Sequence, residues 1–276
     1  MKAAIIGSFD NYGHMGNWVA DAFEDIGDKV TRIDRYDIKD VNEHDFAICV
    51  DCSEDFSQHI ESINIPTAFW SMDAHMPGGL ERSVNIARKC DVVFSSNKEH
   101  GVDLLAKFGI NSYLMPITYS ERLISVSKRR LPHFNAVMIG NPNSNERKQL
   151  WDLLHNTFKN VVTGPVDCLT YKDAMSNTLR VVNQPTEPWD NILNNRFFEG
   201  LASGGTLYQK RLKTTLIEDL GFIDGEDFIY WNDLEDLKDK LKLNLENSQR
   251  ESAMKKVSQY SMTEQVSKLK HILLTS

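Results

Sequence analysis

The run Ala3-Ala4-Ile5-Ile6-Gly7-Ser8-Phe9-Asp10-Asn11-Tyr12-Gly13-His14-Met15-Gly16 decides the fold. Four apolar residues followed by a glycine are the mark of a strand buried on both faces. A glycine-rich loop comes next. Residues 17–26 then set Val19, Ala20, Phe23 and Ile26 at helical spacing. Strand, loop and helix in that order open a unit whose next strand returns parallel to the first.

The cycle repeats. Strands are expected at residues 29–33, 46–50, 67–70, 91–95 and 112–114, with helices at 80–89 and 99–108. The pattern breaks over residues 117–132 and then restarts. Strands at 135–139, 161–162, 179–182, 206–208 and 228–230 alternate with helices at 146–157, 171–176, 194–202, 234–245, 249–260 and 263–274. This alternation predicts an α/β protein of two doubly wound parallel-sheet domains, residues 1–120 and 133–276. The last helix is free to pack back on the first domain. Ligands of such sheets bind outside the carboxyl ends of the strands. The functional residues are therefore expected on loops that follow strands, facing a cleft between the two sheets.

Composition narrows the class. The chain has 276 residues, 41% hydrophobic and 25% charged, enough apolar material for two modest cores. A net charge of -8 discourages non-specific contact with nucleic acid or anionic lipid. The densest basic run, Lys128-Arg129-Arg130 with His133 beyond it, reads as a solvated linker. Cys49 and Cys52 have the spacing of a redox or zinc pair, but no second pair accompanies them. They end an apolar run and read as small buried residues. No stretch reaches the ~20 apolar residues of a membrane span. A cytoplasmic, soluble protein without a disulfide framework is expected.

The chemistry concentrates in Asn194-Asn195-Arg196-Phe197-Phe198-Glu199-Gly200-Leu201-Ala202-Ser203-Gly204-Gly205. Arg196 and Glu199 are three apart and share a helix face. Phe197, Phe198 and Leu201 can face the core. A carboxylate can accept both hydroxyls of a ribose, and a guanidinium fork matches phosphate oxygens. Gly204-Gly205 ends the helix and lets the backbone approach a neighbour. On spacing alone, an amphipathic helix with an exposed Arg–Glu pair and a glycine cap fits equally well.

This segment resembles the C-terminal domain of glycosyltransferases related to the spore-maturation protein CgeB, within the GT-B superfamily of two Rossmann-like domains. The resemblance rests on Arg196, Phe198, Glu199, Leu201, Ala202 and Gly204. It continues through Gly221-Phe222, Asp224-Gly225-Glu226-Asp227 and Arg250, and upstream through Pro66-Thr67-Ala68-Phe69-Trp70-Ser71-Met72-Asp73 and Met138-Ile139-Gly140-Asn141. Tyr260-Ser261-Met262-Thr263 departs from the family's signature before the last helix, and the chain is short for the family.

The resemblance implies transfer of a sugar from a nucleotide-sugar donor, with a UDP-sugar expected first, to a hydroxyl acceptor. Glu199 would hold the donor ribose and Arg196 would sit near the diphosphate, beside Asn195. Gly204, Gly205, Gly140 and Asn141 would be phosphate or sugar neighbours. Arg147 reads instead as a surface helix residue. The acceptor would lie on the first domain, against Asp10, Gly13, His14 and Gly16. Asp73 and His75, at the end of the fourth strand, are candidate bases for the acceptor hydroxyl, as is His14. Each of these loops also reads as an ordinary strand–helix turn. No Asp-x-Asp pair occurs, so no metal is expected to be obligatory and the nucleotide sugar is a co-substrate.

A glycan, a protein, a small molecule and a modified DNA base stay open as acceptors. Three alternatives remain: a catalytically inactive nucleotide-sugar-binding protein of the same fold, a phage-type DNA base glycosyltransferase, and a sugar-nucleotide epimerase.

Overall fold

The computed structural model describes residues 1–10, 14–50, 54–72, 74, 76–124, 133–185 and 192–276. Gly13, Asp73, His75, Cys52 and the basic run Lys128-Arg129-Arg130 lie outside the described residues.

In chain order the first stretch contains β1 (Lys2–Gly7), α1 (Met15–Asp25), β2 (Lys29–Asp34), β3 (Phe46–Val50), α2 (Ser57–Ile60), β4 (Thr67–Ser71), α3 (Gly79–Ala87), β5 (Val92–Ser95), α4 (Asp103–Ala106) and β6 (Tyr113–Leu114). The second contains β7 (Ala136–Ile139), α5 (Asn145–Thr157), β8 (Val161–Gly164), α6 (Cys168–Ser176), β9 (Arg180–Asn183), α7 (Asn195–Ala202), β10 (Thr206–Lys210), α8 (Leu216–Asp219), β11 (Ile229–Trp231), α9 (Leu234–Lys240), α10 (Asn247–Ser258) and α11 (Met262–Thr275).

The chain forms two compact units. One comprises Met1–Ile117 with Met262–Ser276, the other Thr118–Ser261. The first holds a six-stranded sheet in the order β2-β1-β3-β4-β5-β6, the second a five-stranded sheet in the order β11-β10-β9-β7-β8. The strand pairs within both sheets are parallel. The two sheets share one connectivity. The second strand lies on one side of the first, and the third strand starts a run on the other side. The winding direction thus reverses at β1/β3 in the first unit and at β7/β9 in the second.

The continuous apolar runs become fully buried strands, β3 and β4 along their whole length. In the first unit, Ala4, Ile6, Ala47, Cys49, Phe69 and Val93 form one core face with Val84 and Leu105 from the helices. On the other face Phe23 of α1 packs on Phe46, with ring centroids 5.5 Å apart. The C-terminal helix α11 joins this unit. Its Lys270 Nζ donates to both oxygens of the buried Asp28, at 2.7 and 2.6 Å, and the N-terminal ammonium adds a third bond at 2.8 Å.

In the second unit, Met138, Val182, Tyr208 and Trp231 of the sheet pack with Leu150, Leu154, Leu237 and Leu241. The opposite face is aromatic. Phe197 makes edge contacts with Phe198, Phe222 and Phe228 at 5.4, 5.2 and 5.4 Å. Burying each such ring contributes roughly 2–3 kcal/mol, so α7 is anchored through its two phenylalanines. Tyr260 packs on Phe198 and Phe222, and its hydroxyl donates to Leu220 O at 2.9 Å.

Two expected helices take another form, and the short α2 and α8 were not expected. The helix expected at 99–108 is a π turn, Lys98–Val102, followed by the short α4. Gly101 lies so close to β5 that a Cβ there would stand 1.8 Å from Ser95 Oγ. The helix expected at 234–245 stops at Lys240, and Leu245 turns inward, its N–H donating to Thr206 Oγ1 at 3.3 Å.

Candidate functional site

The reversal between β7 and β9 is where a crevice opens at the carboxyl edge of an open parallel sheet. Gly140 leaves β7 there with φ +142°, a conformation few residues other than glycine adopt. Its neighbour is the guanidinium of Arg147: a Cβ at position 140 would lie 3.1 Å from both Nη1 and Nη2. Arg147 Nη1 donates to Asn141 O at 2.6 Å, and Nη2 donates to Gln184 O at 3.0 Å. One side chain thus ties the loop after β7 to the loop after β9.

This corrects the surface reading of Arg147, which is only 7% exposed. Burial lowers its pKa, and the charge of Arg196 lowers it further. The Arg147 Nε is buried with no hydrogen-bond partner.

The first turn of α7 is fixed from the sheet. Asn183, the last residue of β9, donates through Nδ2 to Asn194 Oδ1 at 2.8 Å and to Gln209 Oε1 at 2.7 Å. Asn194 occupies the N-cap position, yet its side chain makes no capping bond. Among the described residues, the N-terminus of α7 therefore presents amide N–H groups and the positive end of the helix dipole without a capping side chain.

Within α7, Glu199 is fully buried. Its Oε1 accepts from Asn195 Nδ2 at 3.2 Å, and its Oε2 accepts a short bond from Arg196 Nη1. The same Nη1 donates to Tyr171 Oη of α6 at 2.8 Å, and the guanidinium lies over the Tyr171 ring, 4.8 Å from its centroid. Burial works against the Arg196 charge, but the Glu199 carboxylate more than offsets it and raises the pKa. Burial also raises the pKa of Tyr171, with Glu199 adding to it. The Arg196 side chain keeps 29% of its surface exposed while the Glu199 side chain has none. The exposed-pair reading thus holds only in part for Arg196, which is half-buried, and fails for Glu199.

Gly204 and Gly205 require a correction. The approach they permit is to the protein's own backbone. Gly204 takes φ +71°, and a Cβ at Gly205 would meet Leu179 O at 3.1 Å and Thr178 O at 3.2 Å. They lead into the start of β10, whereas Asn194 follows the end of β9. The eight residues of α7 span about 12 Å between these two ends. The glycine pair therefore sits at the wrong edge of the sheet to serve a phosphate held by the α7 N-terminus.

The loop after β1 in the first unit carries its own polar group. His14 Nδ1 and Ser8 Oγ are 2.9 Å apart, and Ser8 Oγ donates to Asp10 Oδ2 at 3.3 Å. His14 is the N-cap residue of α1. Gly16 is needed for packing, since a Cβ there would stand 2.9 Å from Phe9 Cε1 and 3.0 Å from Ser8 O. Gly7 approaches β3, where a Cβ would lie 2.7 Å from Val50 O. Among the described residues, no group of three or more His, Cys, Asp or Glu side chains is arranged to hold a metal ion, and no helix is long and apolar enough to cross a membrane.

The sequence reading missed Tyr171, Asn183, Gln184 and the burial of Arg147. Residues 183 and 184 follow the strand expected at 179–182, but only the observed strand order locates the winding reversal there.

The comparisons agree with this architecture. An α-glucosyltransferase solved with UDP and a 13-mer DNA containing an HMU base is similar over 100% of both chains, with TM-score 0.68 and 13% identity. A glycosyltransferase involved in avilamycin A biosynthesis, AviGT4, is similar over 100% of this chain and 98% of its own, with TM-score 0.61 and 13% identity. The apo structure of OtsA is similar over 99% of this chain and 98% of its own, with TM-score 0.62 and 8% identity. At such identities the likeness carries the fold, which is that of GT-B glycosyltransferases. No curated protein matches the sequence. The family model described as "Glycosyl transferase-like" matches residues 120–267, more than half of the 276. The chain therefore belongs to the glycosyl transferase-like family and is a glycosyltransferase of the GT-B fold.

Proposed function

We propose that the second unit binds the diphosphate of a UDP-sugar at the β7/β9 reversal, and that the sugar passes to a hydroxyl acceptor bound on the first unit. The observation that carries this reading is the conjunction of Glu199, Arg196 and the uncapped N-terminus of α7. Glu199 has the acceptor oxygens a ribose diol needs. Arg196 and the α7 amides would neutralise the charge that builds on the leaving diphosphate. Arg147 shapes the loop beneath and adds positive potential. Glycosyl transfer breaks the bond from the anomeric carbon to the diphosphate and forms one to the acceptor oxygen. Stabilising the departing diphosphate is the larger electrostatic demand.

His14 with Ser8 and Asp10, and the strand-end pair Asp73 and His75, are our candidates for the acceptor side. Within the family we infer kinship with the CgeB-like glycosyltransferases, on Arg196, Phe198 and Glu199 in their observed helix.

We infer that the acceptor is not duplex DNA, although two of the structural neighbours were solved with DNA. The first unit carries 12 Lys and Arg against 20 Asp and Glu, and the second is balanced at 19 and 19. The whole net charge of -8 therefore falls on the unit assigned to the acceptor. A phosphate backbone is held by clustered cations, so this balance opposes it. A neutral or cationic glycan, peptide or small molecule suits it better.

The test offers purified protein a panel of nucleotide sugars and scores binding and slow donor hydrolysis. UDP-sugar binding that is lost in Glu199→Ala supports the reading. Absence of any donor, or an unchanged Glu199→Ala, refutes it.

A further inference from the structure

The arrangement around Glu199 poses a problem for any ligand that needs this carboxylate. Both of its oxygens are engaged and none of its side-chain surface is exposed. Arg196 lies between it and solvent. Arg196 keeps its charge through Glu199 against two opposing influences. It stands in the first turn of α7, where the helix dipole disfavours a cation, and that turn contains no acidic residue. Arg147 is close enough for the two positive charges to repel. Two guanidinium groups thus stand near one helix N-terminus, and the Glu199 carboxylate is bonded to one of them. Among the described residues, Nε and Nη2 of Arg196 donate to nothing, and Arg147 Nε is buried without a partner. An anion bound at this helix N-terminus would find these unused donors.

We propose that Arg196 is a diphosphate-dependent cap on Glu199, and so the residue that restricts the site to nucleoside diphosphates and their sugars. This rests on the reading of Glu199 as the ribose ligand. In the empty site Arg196 spends its Nη1 on Glu199 and Tyr171. A diphosphate at the α7 N-terminus offers the unused Nε and Nη2 edge a stronger, bidentate acceptor, and turning that edge toward it draws Nη1 off the carboxylate. Glu199 is then free to accept the ribose hydroxyls, which replace the bond it lost. A nucleoside brings the ribose but not the anion. It must open the ion pair with no compensation, and it is excluded. The ligand selects its site through a difference between two states of one side chain, with no movement of the helix required.

Titration calorimetry with UDP and with uridine on the full chain tests this. Wild type is expected to bind UDP at least ~100-fold more tightly than uridine. Tyr171→Phe removes one bond that holds the cap closed and leaves Arg196 and Glu199 in place. Uridine is expected to bind this variant about 2- to 12-fold more tightly than wild type, the equivalent of one ordinary hydrogen bond. Arg196→Ala opens a path to Glu199, so UDP should weaken while uridine strengthens, and the gap between them should fall below ~10-fold. If Arg196→Ala weakens both ligands equally, or Tyr171→Phe leaves uridine unchanged or weaker, the cap is refuted. Should Arg196→Ala fail to fold, Tyr171→Phe alone decides. If UDP does not bind wild type at all, the donor-site reading falls, a result distinct from failure of the cap.

Discussion

Both terminal nitrogens of Arg147 lie 3.1 Å from the point a Cβ on Gly140 would occupy. Two residues seven apart thereby define the loop after β7, one by lacking a side chain and the other by burying a charged one. Gly140→Ala must strain φ or push Arg147 off the carbonyls of Asn141 and Gln184. A loss of about 1–3 kcal/mol in urea unfolding is expected. In an Arg147→Ala background the same change should cost at least ~0.5 kcal/mol less, because the contact is gone. Additive losses would show that the two residues are independent.

Arg147 itself can be tested by its conservative variant. Arg147→Lys keeps the charge but cannot reach two carbonyls in a fixed fork. Loss of one buried, charge-assisted bond is expected to cost about 1.5–3 kcal/mol. Thermal unfolding checks the cost, and UDP affinity should fall with it. A variant as stable as wild type would show that the bridge between the two loops is dispensable.

The amide pair Asn183 and Gln209 holds Asn194 at the start of α7. Asn183→Leu keeps the branched shape and leaves Gln209 Oε1 buried without this bond. A cost of about 1–3 kcal/mol is expected. Amide hydrogen exchange should quicken at residues 194–197 and stay slow in β9. Unchanged protection at 194–197 would remove the positioning role.

In the first unit, Asp28 gathers Lys270 and the N-terminal ammonium while its own side chain is 3% exposed. Lys270→Ala leaves one of these cations and is expected to cost about 1.5–3 kcal/mol. Because the carboxylate is buried, raising the salt concentration should change this penalty little. A penalty that vanishes in high salt would mark the pair as an ordinary surface contact.

Strands that are buried on both faces were legible from their apolar runs, and residues 46–50 were read with the bounds the structure gives β3. Periodicity failed where tertiary contact overrode it. Gly101 against Ser95 turned one expected helix into a π turn and a short α4. In the candidate site, Arg196 and Glu199 were legible because a spacing of three on a helix fixes a shared face. Arg147 was not, since a basic residue in a polar stretch gives no sign that two carbonyls await it inside. Gly204 and Gly205 were misread because a glycine reports close approach without naming what approaches. Here it is the backbone at Thr178 and Leu179.

The central claim is that Glu199 is the donor's ribose ligand, and the most direct measurement is UDP binding to Glu199→Gln. The amide is nearly isosteric but brings donors where a diol needs acceptors. A UDP affinity at least ~10-fold weaker is expected, and the loss should be smaller for 2′-deoxy-UDP, which keeps only the 3′-hydroxyl. UDP binding to Glu199→Gln with wild-type affinity would contradict the account.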